Sequence, residues 1–353
     1  MSVSAQHQRI QEIVYHAYEE RTPLNICAGN SKVFYGRQIN ARKLDVSHYG
    51  GILHYEPTEL VITAAAGTPL RDIETTLAQH NQMLPFEPPH FGDKATLGGC
   101  IATGLSGPRR PYTGAARDYV LGVKLVNGKG EILHFGGEVM KNVAGYDVSR
   151  LMTGALGTLG VLLEISLKVL PRPAVETTLI HACSTQRGLE LMLEYNQQAM
   201  PLSAACHDGH NLYIRLSGTE QAIKAARQFV RGDELPDGDM FWYQLREHQL
   251  DFFKSEQTLW RLSVPANTTL AIQGGSFIDW GGAQRWIKTD LDAQAMHELA
   301  RQANGHASQF RHADPKQETF QPLSGKLKQL HLNLKLAFDP NCILNPSRMY
   351  ADF

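Results

Sequence analysis

Up to about residue 170 the chain alternates short apolar runs with glycine turns, and beyond that its rhythm changes. "PLNICAG" and "ELVITAAAG" read as strands, each stopped by glycine. "TPLRDIETTLAQHNQM" then carries apolar residues at helical spacing, with Thr68 as the expected N-cap and Pro69 as the first helical residue. "YVLGVKLVNGKGEILHF" predicts a hairpin around Asn127-Gly128, and "LGVLLEISLKVL" a further alternating strand. The two prolines of "PRPAVE" break the pattern and mark a boundary near residue 172.

In the second half the strand "ETTLIHA" leads to a helix, "RGLELMLEYNQQAM", and to a hairpin, "LSAACHDGHNLYIRLSG", turning at Asp208-Gly209. The helix "EQAIKAARQFVRG", strands in "LWRLSVP" and "SFIDWGGAQRWI", and the helix "AQAMHELARQANG" follow. This order predicts an α+β sheet with helices on one face. "KLKQLHLNLKLAFDPNCILNPSRMY" reads as a helix stopped at Asp339-Pro340 and then an extended tail. Near the start, Ile10, Ile13, Val14 and Ala17 fall at helical spacing, which fits an amphipathic helix better than a signal peptide. No apolar run reaches the ~18 residues that span a bilayer. The expectation is a cytoplasmic protein, or one peripheral to the cytoplasmic membrane.

Composition narrows the function classes. The 353 residues carry a formal net charge of −1, without the basic excess of a nucleic-acid binder. Cys27, Cys100, Cys183, Cys206 and Cys342 are far apart and form no CxxC pair, which excludes an iron–sulfur or disulfide framework.

The chemistry concentrates in "DKATLGGCIATGLSGPRRPYTG", residues 93–114, where five glycines crowd together. Residues without side chains let the backbone approach a ligand closely, and a phosphate is the first candidate. No Walker A loop is present, and "GALGTLG" at 154–160 precedes a strand, the wrong order for a Rossmann site. Three separate glycine segments remain: "AGNSK", "TLGG…ATGLSG" and "GTLGVLLE". Together they could give backbone N–H groups to one extended nucleotide, with Ser and Thr hydroxyls as neutral donors.

Other side chains leave two readings each. Arg109 and Arg110 fit an anion clamp or a solvated loop. Cys100 fits a thiol near a cofactor or a small core filler. His207 and His210 fit a metal pair or an ordinary hairpin turn. Tyr146 and His306 fit contacts with a bound ring or structural roles. Trp280, Arg285 and Trp286 fit a docking hot spot or the core.

"ATLGGCIATGLSGPRR", "KNVAGYDVSRLMTGALGTLGVLLEISLKVLPRP" and "FDPNCILNPSRMY" resemble the FAD-binding fold of the vanillyl-alcohol-oxidase/PCMH superfamily. "GLSGPRRP" and "IDWGG" bring the resemblance closest to the FAD-binding E subunits of glycolate oxidase, over nearly the whole chain. The resemblance implies an α+β fold with a PCMH-type FAD domain over 1–172, a smaller α+β domain over 173–325, and a C-terminal helix and tail over 326–353 returning to the FAD domain. It places Ala28, Gly29, Asn30, Ser31 and Lys32 at a first pyrophosphate loop. Thr96, Leu97, Gly98, Gly99, Thr103, Ser106 and Gly107 match a second phosphate-facing stretch. Gly157, Gly160, Val161 and Leu162 match the segment whose backbone lies along the flavin and adenine.

Three departures stand out: Ala155 and Leu156 where the superfamily has Ser and Glu, Ser347 where it has Gly, and no His/Glu metal-and-substrate motif. The resemblance further implies noncovalent FAD (His90 being the nearest candidate for attachment), no metal, and no assignable catalytic base. It also implies oxidation of glycolate and D-lactate to 2-oxo acids. A second flavoprotein subunit and an iron–sulfur subunit would pass electrons to a quinone. A self-sufficient FAD-dependent 2-hydroxy-acid dehydrogenase, or a structural subunit with a vestigial flavin site, are the alternatives.

Overall fold

A computed structural model describes residues 3–137, 147–270, 275–312 and 317–353; Tyr146 lies outside them. The first helix, Val3–Glu20, buries Ile10, Val14 and Ala17 against a parallel strand pair, Leu24–Cys27 with Arg42–Asp45. Leu344 extends that pair by bridging to Leu24, so the far end of the chain joins its first sheet.

A five-stranded antiparallel sheet follows in the order Ile52–Glu56, Val61–Ala65, Val161–Lys168, Val120–Val126, Ile132–Gly136. The strand Val161–Lys168 runs through its centre, and most of its residues are buried on both faces, Glu164 and Lys168 remaining partly exposed. The expected hairpin at Asn127-Gly128 forms, with Asn127 Oδ1 accepting from Lys129 N and Glu131 N, each at 3.0 Å. The helix Leu70–Ala78 also forms, but its N-cap is Pro69. Thr68 spends its hydroxyl on Ala65 O (2.6 Å) and on Gly51 N (2.9 Å), which ties two sheet ends instead of capping the helix.

The largest local difference lies in the glycine stretch, where Leu97–Thr103 is a helix and not a turn. Thr96 Oγ1 accepts from Gly99 N at 3.2 Å, and Gly104, at φ +62°, closes the other end. Leu97, Cys100 and Ile101 fall on one buried face. Two good caps and an apolar stripe outweigh the low helix propensity of Gly98 and Gly99.

The second half forms an eight-stranded antiparallel sheet with Asp233–Glu234 and His306–Arg311 at its edges. The order between them is Val175–Ala182, Asn211–Gly218, Leu202–His207, Ser276–Asp279, Gln284–Lys288, Leu259–Ser263. Helices Thr185–Asn196, Glu220–Ala226 and Ala293–Gln302 appear where the apolar spacing predicts them. Helix Gly238–Arg246 has no counterpart in the sequence reading. One face of the sheet packs against helices. The other presents Phe277, Trp286 and Phe310 to Tyr35, Leu105, Leu156 and Met349, which joins the two halves of the chain. No described helix is long and apolar enough to cross a membrane.

Candidate functional site

The three glycine segments are held in one contiguous arc. A Cβ on Gly29 would lie 1.4 Å from Lys94 O, so the first loop rests directly on the backbone leading to the second. Gly98 N donates to Ala66 O at 2.7 Å, and a Cβ there would stand 2.8 Å from the Ala66 methyl. At the far end of that helix, Gly154 N donates to Ile101 O (2.9 Å) and Leu156 N to Ala102 O (2.8 Å). The third segment thus lies alongside the second.

The tail closes the arc. Asn345 Nδ2 donates to Leu156 O and its Oδ1 accepts from Ile26 N, both at 2.7 Å. Gly157 sits at φ +72°, and a Cβ there would come within 2.7 Å of that Nδ2. Arg348 donates to the carbonyls of Arg37 (2.7 Å), Tyr35 (2.8 Å) and Val33 (3.0 Å). Lys335, 1% exposed, donates to Thr158 O, Leu344 O and Asp339 Oδ2 within 2.8 Å. Leu156 and Ser347 both adopt left-handed φ, +52° and +59°, at positions where the resembled family has other residues.

The sequence candidates sort into four groups. Thr103 and Ser106 face an open cleft. Ala28, Gly29, Asn30 and Ser31 form the first loop, and Lys32 is buried there, its amine donating to His90 O at 3.1 Å. Burial lowers the Lys32 pKa. Thr96, Leu97, Gly98 and Gly99 make the start of the short helix, where a Cβ on Gly99 would meet only Thr96 Oγ1, at 3.3 Å. Gly107, Gly157, Gly160, Val161 and Leu162 are bound up in packing. A Cβ on Gly107 would strike Glu87 O at 2.3 Å, one on Gly160 would come 3.0 Å from Leu125, and the side chains of Val161 and Leu162 belong to the core.

Several side chains with two readings are resolved. Cys100 is buried and its thiol is pushed up to about 12 by burial, so it is a filler and not a reactive thiolate. His207 is buried, with Gly209 N donating to its Nδ1 at 3.0 Å, while His210 is exposed on the other side of the turn. Trp280, Trp286 and Arg285 are all buried, so they offer no docking surface. The Trp280 indole N–H donates to Gly107 O at 3.0 Å, and Arg285 donates to Thr268 O. Arg109 and Arg110 part company. Arg109 donates to Glu87 at 3.1 Å, and Arg215 shares the same carboxylate at 2.8 Å. Arg110 turns the other way, its guanidinium 4.2 Å from the centre of the Trp280 ring.

Arg110 enters a cleft of about 510 Å³ between the two halves. Thr103, Ser106 and Gly154 line its first wall, Arg261, Trp280, His306 and Ser308 its second, and Tyr350 comes from the tail. Arg110, Arg117, Arg261 and His306 all face it, and among the described residues no Asp or Glu does. Burial, then Arg261 and Arg117, pull the Arg110 pKa down; burial, then Arg261 and Arg110, do the same to His306. Sequence reading flagged Arg110 but missed Arg117 and Arg261. The available signal was an arginine in the middle of the apolar strand "LWRLS".

A profile of the FAD binding domain family matches residues 3–136. The chain is 49% identical over 346 residues to glycolate oxidase subunit GlcE of Escherichia coli (strain K12), covering 98% of this chain and 97% of that one. It belongs to the family of glycolate oxidase subunit GlcE. Glycolate oxidase subunit GlcD of Bacillus subtilis (strain 168) is 30% identical over 178 residues, 48% of this chain and 37% of that one. The structure of p-cresol methylhydroxylase with substrate bound superposes with a TM-score of 0.73 at 14% identity, over 98% of this chain and 87% of that chain. The expected PCMH-type FAD-binding α+β fold is therefore present, and FAD is the cofactor of this GlcE-family chain.

The residues fit that group. The Thr153 hydroxyl is buried at the cleft without a hydrogen-bond partner among the described residues. Beside it Gly154, at φ +86°, would place a Cβ in open space. A dinucleotide with a negative pyrophosphate suits the first wall of the cleft, where the Thr103 and Ser106 hydroxyls continue into glycine-rich backbone.

Proposed function

We propose that this chain is the FAD-binding subunit of a membrane-peripheral glycolate oxidase complex. In it glycolate, and D-lactate by the same chemistry, are oxidised to 2-oxo acids, and electrons pass through an iron–sulfur partner to a quinone. What carries the reading is the end-to-end likeness to subunit GlcE, supported by an anion-seeking cleft between the two halves. FAD is held without a covalent bond by Ala28–Lys32, by Thr96–Gly99 with Thr103, Ser106 and Gly107, and by the backbone of Gly157 and Gly160–Leu162. When bound, it accepts the two electrons removed from the hydroxy acid. The chain's own part is to cradle the pyrophosphate and to exclude water from the ring by packing the second half and tail over it. Residues 1–172, 173–325 and 326–353 act as FAD domain, cap and closing tail.

The test is purification of the chain alone and with its complex. The single chain should be yellow, release its flavin into the supernatant on acid precipitation, and fail to reduce a quinone analogue with glycolate. Robust quinone reduction by the single chain would defeat the subunit reading. Flavin retained in the pellet would defeat the noncovalent one.

A further inference from the structure

We infer that this chain carries its own binding site for a small carboxylate, formed by Arg110 and Arg261 beside the indole of Trp280. The inference rests on the FAD reading for the remainder of the cleft. Arg110 lies 4.2 Å and Arg261 5.8 Å from the centre of the Trp280 ring. Neither guanidinium has a hydrogen bond or ion pair among the described residues, and Arg261 is among the causes that hold the Arg110 pKa down.

The neighbouring arginines provide an internal control. Arg109, next in the chain, and Arg215 are more deeply enclosed, each 4% exposed, and there the fold supplies the Glu87 carboxylate at 3.1 and 2.8 Å. At Glu87 the fold brings the counter-charge with the arginines. No described acid lines the cleft, and Asp118 acts on Arg110 only from beyond ion-pair distance. Two half-buried guanidiniums left facing each other call for an anion from outside, and a planar N–H fork matches a carboxylate best.

The geometry is fixed from both halves. Arg110 follows the Gly107 turn, and Trp280 is locked to that turn by its indole N–H to Gly107 O, while its own amide is held by Asp279 Oδ1 at 2.7 Å. On the opposing sheet Arg261 stands opposite Ser308, and Ser263 opposite His306, so Arg261, Ser308 and His306 project from one face. The site is therefore composite, and a carboxylate held there would lie at the second-half wall, across the cleft from Thr103, Ser106 and Gly154. Those residues continue into the glycine segments that suit the cofactor's phosphates. The wall arginines are left for a second, smaller anion.

The experiment titrates oxalate, a carboxylate that cannot be oxidised as an alcohol, into the purified full-length flavoprotein by calorimetry and by flavin difference absorbance. Wild type should bind oxalate. Arg110→Gln and Arg261→Gln should each weaken it by about tenfold or more, the loss expected for a buried charge-assisted pair, with flavin content unchanged. Arg261→Lys should restore part of it, and Arg301→Gln, on an exposed helix, should change nothing. Unaltered oxalate affinity in both glutamine variants overturns the inference. So does loss of FAD in either variant, or loss of inorganic pyrophosphate binding in place of oxalate binding, because the arginines would then serve the cofactor's phosphates. If wild type purifies without flavin, the proposed function fails separately, and calorimetry on the flavin-free chain still decides the carboxylate site.

Discussion

Lys335→Met removes the ammonium that clamps the tail to the flavin half. The native amine is 1% exposed and makes three bonds, to Thr158 O at 2.8 Å, Leu344 O at 2.8 Å and the Asp339 carboxylate at 2.7 Å. Methionine fills nearly the same volume, so the change isolates the charge. Asp339, itself 0% exposed, keeps its bonds from Ile343 N (3.1 Å) and Leu344 N (2.7 Å) but loses its only described cation. Breaking one side of a buried pair costs about 3–5 kcal/mol. With two carbonyls also left unpaired, the upper part of that range applies. At a urea slope of about 3 kcal/mol per molar, the unfolding midpoint should fall by about 1.3–1.7 M. Tryptophan fluorescence reads the transition. The double variant Lys335→Met/Asp339→Asn should recover part of the loss, since the stranded charge is gone. A midpoint drop under about 0.3 M for Lys335→Met, at a slope of this size, would refute the clamp.

Gly29→Ala should abolish flavin binding or soluble expression, because its methyl would overlap Lys94 O; unchanged flavin content would show the loop free to move. Gly98→Val and Gly99→Val look equivalent in sequence, both costing FAD and sparing the apo fold, but the structure separates the positions. Gly98→Ala should cost about 1–3 kcal/mol of apo stability through the Ala66 contact, whereas Gly99→Ala should leave the apo midpoint unchanged and lower FAD affinity; equal midpoints would reject this. Burial pushes Asp279 up to about 7, so the folded chain keeps a proton that the unfolded chain releases above about pH 4. Stability should therefore fall as pH rises from about 4 to about 7, by at most about 1.4 kcal/mol per unit from this group, and level off above. Asp279→Asn should flatten that slope in urea midpoints taken across the range, and an unchanged slope would exclude the residue as its source.

Local chemistry was legible and long-range stitching was not. The hairpins at Asn127-Gly128 and Asp208-Gly209 are written in two residues and their alternating flanks, and both form. The helix Leu97–Thr103 was hidden because glycine content suggested turns, while its evidence lay in Thr96 and Gly104 just outside it. Gly157 drew attention as a cofactor contact, yet its φ and crowding are explained by Asn345, 188 positions later. Trp280 and Trp286 read equally as surface or core, since enclosure depends on which sheet face meets the other half. The cleft's charge imbalance joins Arg110 and Arg117 of one segment to Arg261 and His306 of two others, and no window of sequence contains all four.

The tail also sets the order of events in the life of the molecule. Asn345 binds Ile26 across 319 positions and Leu156 across 189, so both partners are synthesised long before the side chain that joins them. Until residues 335–348 have left the ribosome, the loop at 26–37 and the segment at 154–158 have no common anchor. The arc of glycine segments is therefore completed last, by a side chain made long after the loops it joins.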